Sequence, residues 1–137
     1  GKPKDALVMS GAEAVRAALL VTLATEAALI DVAGLGLEPT AGSLPRIDVA
    51  WPLASDWGTK TEAGRELRTM VTLRVAKGQR ERLPAMVEAT ERAGVSLSGA
   101  VDSWSVASAV LMRTQIADDR DGVRVARVEH RIRILEN

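Results

Sequence analysis

An α+β fold, in which a four-stranded antiparallel sheet carries two helices on one face, is predicted by three features of this 137-residue sequence. Two separated segments have apolar residues at helical spacing, and others alternate with a period of two. The segments follow one another as helix, hairpin, helix, hairpin, in the order α-β-β-α-β-β. Strands joined by short connections pair antiparallel, and helices with apolar stripes need a common surface, which one sheet supplies.

Ser10 and Glu13 stand at capping-box spacing, where hydroxyl and carboxylate each satisfy a backbone N–H at a helix start. Val15, Leu19, Leu23 and Ile30 follow at helical spacing, widened by Ala18, Leu20 and Ala27, so a long buried first helix is expected up to Gly34. Residues 34–45 are rich in glycine and proline and read as a loop. Ile47, Val49, Trp51, Leu53 and Trp57 then share one strand face, with Asp48 and Asp56 on the other. Pro52 lacks an N–H, which puts this strand at an edge or gives it a bulge. Leu67, Thr69, Val71, Leu73 and Val75 form the return strand, so the first hairpin has a long polar arm around residues 58–64.

Leu83, Met86, Val87 and Thr90 mark a second helix ending at Gly94, with Pro84 in its first turn, where a missing N–H is tolerated. Trp104, Val106, Val110 and Met112 alternate in a third strand, and Asp118–Gly122 is a turn. In the last strand the apolar positions switch from Val123 and Val125 to Val128, Ile132 and Ile134, which predicts a β-bulge near Ala126 or Arg127. Residues 1–8 read as a leader or extension and residues 9–137 as a single domain.

The reactive inventory is narrow. There is no cysteine or tyrosine and one histidine, His130, so thiolate nucleophiles and multi-histidine metal sites cannot be built. No nucleophile-elbow motif accompanies His130, which sits on the apolar register of the last strand and reads as a core residue. Asp118, Asp119 and Asp121 lack the first ligand of a calcium loop, where Ala117 stands, and read as a hairpin turn. Gly34-Leu35-Gly36 follows a helix rather than a strand, the reverse of a dinucleotide fingerprint. No catalytic, cofactor or metal site is expected, and the protein is read as a non-enzyme. The formal net charge of zero demands neither nucleic acid nor an acidic membrane, and the apolar run Ala17–Ala24, bounded by Arg16 and Glu26, is too short to cross a bilayer. The basic stripe of Arg124, Arg127, Arg131 and Arg133, interrupted by Glu129, reads as a solvated face.

The arm is the exception. Asp56-Trp57-Gly58-Thr59-Lys60-Thr61-Glu62-Ala63-Gly64-Arg65-Glu66 sets a tryptophan among charges of both signs on a protruding hairpin, a composition suited to contacts between proteins. A small domain has little with which to cover such an arm, whereas a neighbouring subunit does.

With these residues in view, the sequence resembles the tail-completion proteins, or tail terminators, of siphophages, prophages and gene transfer agents. The resemblance rests on the capped Ala/Leu-rich first helix, the segment from Asp56 to Glu66, and the Asp-Gly hairpin before an Arg-rich last strand, and spans residues 9–135. It implies a small α+β subunit in a hexameric ring that caps the tail tube and joins it to the head-side connector. The implied location is the virion, after assembly in the bacterial cytoplasm. The implied partners are further copies of the chain, the major tail tube protein, the connector or stopper protein, and double-stranded DNA crossing the lumen without sequence-specific binding. Asp56, Trp57, Thr59, Lys60, Thr61, Arg65 and Glu66 become the expected interface residues. The sequence departs from the family pattern in its leader, its long 34–45 loop and its lack of Tyr and Phe. Residues 1–57 carry a net charge of −3 and residues 58–137 a net charge of +3, and such a split suits head-to-tail contacts in a ring. The rival readings are a head-tail stopper subunit and a small dimeric α+β ligand-binding domain with Trp51, Trp57 and Trp104 around a pocket.

Overall fold

The first helix, α1 (Gly11–Ala24), begins where Ser10 Oγ accepts the Glu13 N–H at 3.1 Å, one half of the expected capping box. In the computed structural model, which describes residues 9–35 and 42–137, it ends ten residues before Gly34. Thr22 and Thr25 each turn their hydroxyl back onto a helix carbonyl, and after an extended Glu26 the chain makes a separate short 3-10 turn, Ala27–Leu29. From the new turn it is Leu29 that enters the same core as Leu19 and Leu23. Ile30, expected on the buried face, is 79% exposed. Residues 1–8, expected to be a leader or extension, and residues 36–41 of the expected 34–45 loop lie outside the described residues.

The sheet has six strands, not four, in the order β1-β3-β6-β5-β4 with β2 also on β3. These are β1 (Arg46–Val49), β2 (Leu53–Asp56), β3 (Gly64–Val75), β4 (Gly99–Val101), β5 (Trp104–Asp118) and β6 (Arg124–Glu136). The single expected first strand is split into β1 and β2. Val49 pairs with Val71 but Leu53 with Arg68, so one extra residue is accommodated at Trp51-Pro52. The extra residue reverses the facing of everything after it: Ile47 and Val49 are buried, whereas Trp51 and Leu53 are 62% and 75% exposed. The short β4, which pairs with the start of β5, accounts for the sixth strand.

The bulge expected in β6 lies instead in β5. The β3–β6 ladder runs without interruption from Gly64↔Leu135 to Val75↔Arg124, while β5 shifts register at Ala107 and again at Met112. Val125 marked the phase change because it is buried on the opposite face from Ala126 and Val128, between Arg74 and Ala117.

Helix α2 (Leu83–Val95) follows a 3-10 turn, Lys77–Arg82, and carries Pro84 in its first turn. Leu19 and Leu23 of α1, and Met86, Ala89 and Ala93 of α2, pack with Ile47, Leu67, Val71, Leu73, Ile132 and Ile134. Fully burying each Leu, Ile or Met contributes about 1.5–3 kcal/mol. The opposite, helix-free face carries Arg68, Arg74, Arg131, Arg133, Glu66 and Glu129.

His130 is fully buried on the helix side, with Nε2 3.0 Å from the Glu91 carbonyl oxygen. Burial pushes its pKa below the ordinary value, against the pull of that carbonyl. Its ring lies where a Cβ on Gly94 would stand, 2.2 Å away, so α2 reaches the sheet here only because residue 94 has no side chain.

Candidate subunit interface

Of the expected protruding segment Asp56–Glu66, both ends are held by the sheet, Asp56 in β2 and Gly64–Glu66 in β3. β6 accompanies β3 to Gly64, and the Glu136 N–H donates to the Ala63 carbonyl at 2.9 Å, so only residues 57–63 extend past the sheet.

The tip is a tight turn held by its own residues. The Trp57 N–H donates to the Gly64 carbonyl at 3.1 Å and the Thr59 N–H to the Glu62 carbonyl at 2.8 Å. Thr59 Oγ1 accepts from the Glu62 N–H at 3.0 Å and from the Thr61 N–H at 3.3 Å, a side-chain bracket that fixes the turn. Lys60 and Thr61 are exposed at its apex.

The seven expected interface residues separate into two groups. Asp56, Thr59, Lys60, Thr61 and Arg65 are exposed; the Asp56 side chain is 84% exposed and only loosely paired with Arg65, at 3.4 Å. Trp57, in contrast, is half-buried by its own protomer, with the Arg133 guanidinium 5.2 Å from its ring centre. Glu66 is drawn into a chain of ion pairs across the helix-free face. Arg133 Nε donates to Glu66 at 2.9 Å, Arg68 lies between Glu66 at 3.9 Å and Glu129 at 3.1 Å, and Arg113 Nε donates to Glu129 at 2.9 Å. Burial raises the Glu129 pKa, but hydrogen bonds from Arg68 and Arg113 outweigh it and hold the carboxyl below the usual glutamate value. Such half-exposed pairs contribute at most about 1 kcal/mol each; their role is to tie β5, β6 and β3 to the base of the Trp57 tip.

The sequence period puts Trp51 and Leu53 on one face with Ile47 and Val49. The structure puts both beside a depression of about 390 Å³ that also involves Met70, Arg68, Arg113 and Glu129. Arg16 of α1 reaches over the Trp51 ring at 5.0 Å and donates from Nε and Nη2 to the Val49 carbonyl at 3.1 and 3.0 Å, closing the outer side of β1. Pro52 was the available signal: a residue that cannot join the ladder marks where the two faces can exchange.

The three tryptophans do not converge. Trp104 donates from Nε1 to the Met9 carbonyl at 3.4 Å, beside the start of α1, whereas Trp57 lies under Arg133 on the helix-free face. The acidic turn is internally satisfied: Asp118 is 2.7 Å from Arg124, which holds its carboxyl below the usual range, and Asp119 accepts from the Arg120 N–H at 2.8 Å.

No family model matches the chain, and no curated protein does. Among solved structures the chain is similar to one described as the virion of a native gene transfer agent particle. The match has a TM-score of 0.75 at 18% identity and covers 90% of this chain and 96% of that one. At this identity the likeness is one of architecture: the chain has the fold of a component of a gene transfer agent particle, over nearly the full length of both.

Proposed function

We propose that the protein is a structural virion subunit, a tail terminator. Copies of it close into a hexameric ring on the end of the tail tube, stop tube growth by occupying the growing interface, and present the head-side connector with a docking surface. The observation that carries this reading is the near end-to-end overlap with a gene transfer agent virion chain, in a sequence whose Asp56–Glu66 segment independently resembles tail terminators. The exposed group Asp56, Thr59, Lys60, Thr61 and Arg65 is the part of the arm available to a partner. DNA crosses the lumen without sequence-specific contacts. A ligand-binding domain built on the three tryptophans has no support in their dispersed placement.

The test is to mix purified protein with tail-tube subunits and measure tube lengths by electron microscopy. Shorter tubes bearing a ring at one end are expected. Unchanged lengths with bare ends refute the reading, and a ring that binds only to connector complexes assigns the stopper role instead.

A further inference from the structure

The two margins of the sheet are unlike, and both are open. On one side β4 covers only residues 104–106 of β5, leaving 107–118 at the margin. On the other, Arg16 closes β1 while β2 pairs with β3 alone. Of the nine large apolar residues exposed among the described residues, six lie at these margins: Trp51 and Leu53 on one, and Val110, Leu111, Met112 and Ile116 on the other. An uncovered apolar strand edge is a template for another strand, and proteins that keep such edges unpaired charge or cover them.

We infer that the β5 edge of one copy takes the β2 edge of a second copy, head to tail, so that the sheet continues from subunit to subunit. Strand direction supports this occupant. β2 runs antiparallel to β3, β3 to β6, and β6 to β5, so β2 and β5 run in opposite directions. A second copy set alongside in the same orientation therefore brings its β2 to β5 antiparallel, as in every pairing already within the sheet. Facing agrees as well. Leu53 pairs with Arg68, Arg68 with Arg131, and Arg131 with Val110, so Leu53 and Val110 end the same row on the same face. An isologous β5–β5 contact would leave Trp51 and Leu53 uncovered, whereas the head-to-tail contact covers both margins and repeats around a ring. This inference rests on the ring reading for its closure, but the contact itself needs no tube.

The experiment compares wild type, Leu53→Glu and Val110→Glu by sedimentation velocity and mass photometry, with circular dichroism as the folding control. Each glutamate stands across from an arginine, Arg68 or Arg131, so the protomer keeps its fold. Wild type is expected to self-associate, and each variant alone to do so about a hundredfold more weakly, because the Leu53–Val110 apolar contact between copies is replaced by a carboxylate that must leave water to face an apolar residue. Mixed together, the variants should form a one-to-one heterodimer, since each retains the edge the other lacks. A wild type that stays monomeric at its highest soluble concentration, variants that both associate normally, or loss confined to Val110→Glu overturns the inference. Self-association that passes this test while tubes remain uncapped leaves the edge pairing intact and removes the terminator reading.

Discussion

Lowering the pH should destabilise this protein through His130. The imidazole is fully buried, Nε2 faces the Glu91 carbonyl, Nδ1 has no hydrogen-bond partner among the described residues, and Thr69 stands opposite on β3. Protonation would put a cation at Nδ1 in an apolar layer, so the folded-state pKa lies below the ordinary 6.5 that the unfolded chain has. The unfolded state therefore binds the proton first. The stability contributed by the neutral ring is fully present above pH 6.5 and is lost as pH falls below it, at a slope approaching about 1.4 kcal/mol per pH unit. Between pH 7.5 and 5.5 the loss reaches up to about 1.4 kcal/mol. Urea denaturation across this window, with His130→Gln as the reference, isolates the effect, because groups common to both proteins cancel in the difference. The gap between the two stabilities should narrow as the pH falls. Parallel curves would refute the reasoning and show that His130 titrates alike in both states.

Gly94→Ala should destabilise the fold by about 1–3 kcal/mol, read as a lowered Tm, since the new methyl meets the His130 ring at 2.2 Å. In a His130→Ala background the same change should cost nothing measurable, and an unchanged cost there would locate the strain elsewhere. Trp57→Ala removes the ring under Arg133 and should cost the monomer only about 0.5–1 kcal/mol in denaturant unfolding, while tube capping falls much further. A monomer that unfolds outright would make Trp57 part of the core.

Much of the architecture was legible in the sequence because burial imposes a period. Two helices, the antiparallel hairpins, the Ser10 cap, Pro84 in the first turn of α2 and a core histidine at position 130 all follow from which residues must leave water and which backbone groups need a partner. The local rules, though, do not say which element carries a side chain into the core. The break after α1 put Leu29 in the core in place of Ile30, and Val125 imitated a bulge by being buried on the other face.

What the sequence determined by itself was the α+β class, its two helices and antiparallel hairpins, and the absence of thiol or multi-histidine chemistry, since composition and period act residue by residue. Only the tertiary structure decided that Trp51 and Leu53 face outward, that Trp57 is half-covered by Arg133, and that β2 and β5 end the same rows at opposite margins. These depend on register, and register is set by a partner strand: one extra residue against β3 exchanges the two faces of the chain, and no count along a single segment reveals where its partner places that residue.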